Sequence, residues 1–310
     1  MSVGHAHGAS APSLTLPDDR EARRARMRTA LVITVAVLAA EIVGGILSHS
    51  LALLADAAHM FADIGALTLA YAAMTVATRA PTGRHTFGLY RAEVLAAFVN
   101  AEMLIVVALF IGYEAILRAR QPVPVHTGLM LWVGLAALAG NGLSASLLAG
   151  GQAASLNVRA AYLEVFTDLL GAVAVVIIAI AIPWTGWQWL DPALSAAIAL
   201  FILPRAVGLL RQTLHILLEG APGEIDLPAL RKELLGVPGV EQIHDLHFWT
   251  LTSGLHLASV HIRASSESPR AELLGAVQEL LRVRAGVDHA TIQVEWGSEM
   301  TCHSSSRGHA

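Results

Sequence analysis

The chain has one cysteine, Cys302, so no intrachain disulfide can form and the fold does not depend on an oxidising compartment. Charge is scarce too: charged residues make up 14% of the sequence, against about 25% in ordinary soluble domains. Two long stretches carry none, Gln121 to Val158 and Leu169 to Leu190. Lys232 is the only lysine, and a formal net charge of −4 gives no electrostatic ground for binding nucleic acid. Hydrophobic residues reach 55%, which excludes intrinsic disorder. These figures describe a polytopic α-helical membrane protein.

Residues 1–28 are polar, with a small His cluster (His5, His7) and an arginine run from Arg20 to Arg28, and read as a cytoplasmic N-terminal tail. The first apolar stretch begins near Thr29 and has the length of a full span, so no signal peptide is expected. Segments near 29–47, 51–78, 91–117, 126–149, 157–182 and 191–213 are each long enough to cross a hydrocarbon core of ~30 Å. They make 29–213 a six-helix transmembrane domain, and Pro204 inside the sixth span predicts a kink. With the N-terminus inside, Arg20, Arg23, Arg24, Arg26, Arg28, Arg79, Arg84, Arg91, Arg159, Arg205 and Arg211 flank the inner side, against Arg118 and Arg120 outside. The positive-inside rule then puts both termini in the cytoplasm.

After Ala221 the texture becomes that of a soluble domain. Asp226–Leu235 reads as an amphipathic helix, and Val240–Leu251 and Leu255–Arg263 as strands joined at Thr252-Ser253-Gly254. Pro269–Arg284 has helical periodicity and Ala290–Val294 suits a last strand. The order αββαβ predicts a small two-layer α+β domain over 214–297, followed by a flexible tail, 298–310.

Ionisable residues inside spans are expensive and are functional candidates by default. Two pairs share a spacing: His59 and Asp63 on the second span, Glu164 and Asp168 on the fifth, each i, i+4 and therefore one turn apart on one helix face. At ~1.5 Å per residue the first pair lies roughly 12–18 Å from the outer end of its span and the second roughly 14–20 Å, because the two helices run in opposite directions. One imidazole and three carboxylates at one level match the ligands a divalent cation such as zinc accepts. Three ionised carboxylates do not stay together in an empty low-dielectric site, so protons occupy it until metal displaces them. A site holding either metal or protons, opened to each side in turn, is a proton-coupled antiporter.

Other intramembrane acids have blander readings. Asp56, one turn before His59, either lines the same path or bonds a neighbouring helix; Glu41 and Glu102 lie near mid-depth, where buried hydrogen bonding is expected and proton relay is the alternative. Glu93 and Glu114 sit near span ends, where snorkelling or pairing with Arg91 or Arg118 is expected.

At these residues the chain resembles the cation diffusion facilitator family, in its zinc-transporting, cobalt–zinc–cadmium resistance branch. The resemblance is carried by EIVGGILSHSLALLADAAHMFAD (Glu41–Asp63), FGLYRAEVLAAFVN (Phe87–Asn100), LNVRAAYLEVFTDLLG (Leu156–Gly171) and VEQIHDLHFWTLT (Val240–Thr252). It implies six spans, a ferredoxin-like cytoplasmic metal-binding domain, a homodimer and exchange of metal for protons. His59, Asp63 and Asp168 match the transport-site positions. Glu164 stands where the commonest zinc pattern has a second His; it makes the site harder and more anionic, which favours oxygen-loving cations and adds Co²⁺, Cd²⁺ and Fe²⁺ to zinc as expected substrates.

The resemblance also implies metal ligands at His244 and His261, which the hairpin register places nearly opposite one another. Gln293 and Glu295 stand where relatives carry a His and an Asp, so His244, His261 and Glu295 are the expected cytoplasmic ligands. His247, His289, Cys302 and His303 are auxiliary candidates. In the loop between spans two and three, His85 is accompanied by Thr82 and Leu89 rather than further ligands, so no complete site is expected there. The expectation is an exporter of Zn²⁺, Cd²⁺ and Co²⁺ against H⁺ in a bacterial inner membrane, with zinc as substrate and as a regulator through the cytoplasmic domain. No organic cofactor is expected. A metal sensor or channel-like protein without coupled transport is the alternative. A membrane metalloprotease is disfavoured, because HExxH is absent from the sequence.

Overall fold

The computed structural model describes residues 17–150, 156–252, 254–265 and 269–296. Among them the elements run α1 (Pro17–Ser48), α2 (Leu51–Ala77), α3 (Arg91–Arg120), α4 (Thr127–Ala149), α5 (Leu156–Thr185), α6 (Leu190–Leu217), α7 (Leu227–Leu235), β1 (Val240–Thr252), β2 (Leu255–Ala264), α8 (Arg270–Ala285) and β3 (Val287–Trp296). Each of α1 to α6 contains a stretch long and apolar enough to cross a membrane, from Ala25–Ser48 to Leu190–Leu217. The shortest has 23 residues, about 35 Å at ~1.5 Å per residue. α1 begins at Pro17, within the segment read as a polar tail. Pro183 lies inside the last turn of α5, and Pro204 lies inside α6, which continues through it.

The chain forms two compact units, one from the described residues of 1–61 and 107–201, the other from those of 62–106 and 202–310. In the first, α4 packs against both α1 and α5. Small residues permit the approach: a Cβ on Gly140 would stand 2.6 Å from Val37 Cγ2. Close helix packing of this kind takes the place of hydrophobic burial inside a bilayer. The start of α2 is fixed by Asp191, the first acidic residue of α6. Its fully buried carboxylate accepts from Ser50 Oγ at 2.6 Å, Leu51 N at 2.8 Å and Ala52 N at 3.2 Å. These are the N–H groups that a helix N-terminus leaves without partners, and the negative charge also suits the positive end of the helix dipole.

In the second unit, α7 and α8 cover one face of a three-stranded sheet of order β1-β2-β3. β1 and β2 form the antiparallel hairpin, while β3 runs parallel to β2 after the α8 crossover. α7 starts at Asp226, whose side chain accepts from Ala229 N at 3.1 Å. The core face of α8 is the i, i+4 series Leu273, Val277, Leu281 and Ala285, and it meets Ile243, Phe248, Val260 and Ile262 of the sheet. Strand alternation then turns His244 and His261 to the face away from the helices.

Candidate metal centres

In α2, His59 is 6% exposed, and its Nε2 lies 3.7 Å from Glu164 Oε1 of α5. α2 runs unbroken through Phe61 and Ala62, so Asp63 follows His59 by one turn. Asp168 follows Glu164 by one turn on α5 and is buried, at 4% exposure. The geometry thus brings His59 and Glu164 together, with Asp63 and Asp168 each one turn along its own helix.

Of the other acids, Glu114 accepts from Arg118 Nε at 3.0 Å, the pairing expected at a span end. Glu93 differs: it accepts from Thr252 Oγ1 at 3.0 Å, while Arg91 pairs with Glu219 at 2.9 Å. The reason is that the hairpin tip and the residues after α6 supply partners that local sequence spacing does not reveal. Glu41 and Asp56 lie side by side in the first unit, within hydrogen-bonding reach of each other.

The second centre is on the exposed face of the small sheet. His244 and His261 are direct partners in the β1–β2 register, with ring centroids 5.3 Å apart and planes at 83°. Asp245, absent from the sequence expectation, joins them: its Oδ2 is 4.0 Å from His244 Nδ1 and 3.8 Å from His261 Nδ1. In a regular strand Asp245 would point to the opposite face from His244. A bulge changes this, since β1 advances from His244 to His247 while β2 moves only from His261 to Ser259. Asp245 takes φ 49°, a left-handed conformation that Asp tolerates better than most residues. The sequence held a signal for it. Ile243, Leu246 and Phe248 all pack on the core, a spacing of three then two that a bulge-free strand does not produce.

Glu295 is buried behind this pair. Its Oε2 lies 3.1 Å from His244 Nε2, its Oε1 lies 3.7 Å from His261 Nδ1, and Gln293 Nε2 donates to Oε1 at 3.1 Å. His244, Asp245 and His261 are the residues that each bring a ligand atom within 4.8 Å. Glu295, expected as a ligand, stands behind His244 and leaves that ring's Nδ1 on the side of Asp245. Of the auxiliary candidates, His247 is exposed, and His289 packs edge-on against Phe87 at 5.5 Å. His85 is tied to Thr82 within the loop after α2. His5, His7, Cys302 and His303 lie outside the described residues.

Residues 27–218 match the cation efflux transmembrane domain, and residues 222–296 match the cytoplasmic domain of cation efflux proteins. The chain belongs to the cation efflux, or cation diffusion facilitator, family. It is a transporter-family protein and not an enzyme. It is 42% identical over 296 residues to the cation efflux system protein CzcD of Alcaligenes sp. (strain CT14), covering 95% of this chain and 90% of that one. It is also 42% identical over 300 residues to the zinc transporter ZitB of Escherichia coli K12, covering 96% and 94% of the two chains. A cadmium, cobalt and zinc/H(+)-K(+) antiporter of Bacillus subtilis is 39% identical over 260 residues, covering 82% and 83%.

Proposed function

We propose that this family member exports Zn²⁺ and related divalent cations, Cd²⁺, Co²⁺ and Fe²⁺, from the cytoplasm in exchange for protons. The observation that carries the reading is the approach of His59 Nε2 to Glu164 Oε1 at 3.7 Å, in helices long enough to cross a membrane and each carrying a further acid one turn on. Asp168 completes the ligand set after a small shift along α5. Zinc takes such N and O ligands at ~2.0–2.2 Å. The mixed set is more anionic than a two-histidine site, and harder ligands broaden acceptance toward less thiophilic cations. The names of the relatives, a zinc transporter and a cadmium, cobalt and zinc antiporter, support both the substrate class and the exchange.

The mechanism follows from charge. Asp63, Glu164 and Asp168 bring three negative charges to a site where His59 is 6% exposed. Metal satisfies them, and in its absence protons must, so loading one ligand expels the other. When the site faces the cytoplasm metal enters; when it faces outward, protons replace it. The chain acts as a homodimer in a bacterial inner membrane with both termini in the cytoplasm, as the arginine distribution supports.

Cytosolic metal at His244, Asp245 and His261 regulates this cycle. Glu295 accepts from His244 Nε2–H, which fixes the tautomer and presents Nδ1 to the metal, a carboxylate–histidine–metal arrangement. The experiment is zinc uptake into proteoliposomes carrying an imposed pH gradient, with wild type beside Asp168→Ala. Saturable, gradient-dependent flux that Asp168→Ala abolishes supports the reading. Flux indifferent to both gradient and Asp168 overturns it and leaves a channel-like pathway.

A further inference from the structure

The reading above gives no role to Glu41 and Asp56, yet both are sealed inside the first unit, at 1% and 4% exposure. They come from different helices, α1 and α2, and lie within side-chain hydrogen-bonding reach of each other. Among the described residues no protein donor reaches either oxygen of Glu41 or Oδ2 of Asp56. Ionised carboxylates only accept, so two of them bond to each other only when one carries a proton. α5 presses close on the pair: a Cβ on Gly171 would stand 3.1 Å from Asp56 Oδ1.

Among the described residues no ion pair involves Glu41 or Asp56; the arginines nearest along α1 and α5, Arg28 and Arg159, lie 13 residues before Glu41 and 12 before Gly171, roughly 18–20 Å along the helix. α5 brings Asp168, buried at 4% exposure three residues before Gly171. α2 brings His59, three residues beyond Asp56. α4, packed on both α1 and α5, has no ionisable side chain and contributes buried Asn141 and Ser144. Asp191 of α6 is occupied at the start of α2. A proton is therefore the group that makes this pair tolerable, and it lies one turn of α2 from the site that must receive protons.

We propose that the Glu41–Asp56 pair is the proton station of the transport cycle: it loads the protons that replace the metal on the return leg, and is not itself a metal ligand. The step is a proton transfer. An O–H bond of the pair breaks, an O–H bond forms on a carboxylate vacated by the metal, and the pair takes a new proton from water. The proposal rests on the antiport reading and adds a residue-level route to it.

The test separates the two half-cycles of the full-length protein in proteoliposomes. Zinc–zinc exchange at equal pH uses only the metal-loaded leg, whereas net zinc flux driven by a pH gradient also needs the proton-loaded return. Glu41→Gln and Asp56→Asn keep the shape of the pair but remove the carboxyl group that passes the proton. Each should keep zinc–zinc exchange close to wild type while gradient-driven net flux falls by roughly tenfold or more, and Glu41→Asp should restore part of it. If both fluxes survive in both variants, or both are lost together, the station is refuted, the second outcome marking a structural contact. If wild type itself exchanges zinc but shows no gradient-driven flux, the antiport reading fails first.

Discussion

His59 and Glu164 approach across two helices, Nε2 to Oε1, at 3.7 Å. That separation is longer than a direct hydrogen bond, and an ion bound to both atoms at ~2.0–2.2 Å fits between them. Glu164 is one-third exposed while His59 is nearly buried, so the acid is the ligand on the more open side.

Glu164→His should therefore sharpen selectivity toward zinc. A second imidazole removes one negative charge from the site and softens it. In reconstituted vesicles, the ratio of Zn²⁺ to Co²⁺ and Fe²⁺ flux should rise by several-fold, about 1 kcal/mol of discrimination. An unchanged ratio would remove Glu164 from the ligand set.

In the cytoplasmic centre, Asp245→Asn tests the bulge as a ligand-placing device. Asn tolerates the left-handed backbone as well as Asp does, so the fold should persist while a charged ligand is lost. Zinc affinity of the purified full chain at this centre should fall on the order of tenfold to a hundredfold, read by calorimetry. Asp245→Val should in addition lower the melting temperature, because a β-branched residue is strained at positive φ.

Glu295→Gln keeps the hydrogen bond to His244 but removes its charge. Placed behind the ligands, it should weaken zinc binding by about tenfold without abolishing it. Complete loss would make Glu295 a direct ligand, as the family resemblance implied.

Asp191→Ala removes the cap of α2 and strands the Ser50 hydroxyl and the Leu51 and Ala52 N–H groups. The expected cost is roughly 1–3 kcal/mol, seen as a lower unfolding temperature in detergent. Because this cap sets the start of the helix carrying His59, metal affinity should fall with stability.

Much of this was legible beforehand. The spans follow from apolar length, and the i, i+4 spacing of His59 with Asp63 and of Glu164 with Asp168 singled out the two helices whose His59 and Glu164 approach to 3.7 Å. The register of His244 with His261 followed from a three-residue hairpin turn. Asp245 was missed because strict alternation assigns it to the wrong face, although Ile243, Leu246 and Phe248 already broke that alternation. Glu93 with Thr252 and Asp191 with Ser50 were not legible, since these pairs are 159 and 141 residues apart in sequence and only the folded chain joins them. The pairing of Glu41 with Asp56 has the same cause: both were visible as buried acids, but nothing local says they meet.

The central claim is that one site exchanges metal for protons, and the direct measurement records both ions together. Proteoliposomes loaded with a pH dye and a zinc dye are given zinc outside, with wild type beside Asp63→Ala. The account predicts zinc entering as protons leave, in fixed proportion, with both fluxes vanishing in Asp63→Ala. Zinc entry without proton movement, or coupled fluxes that survive in Asp63→Ala, would contradict it.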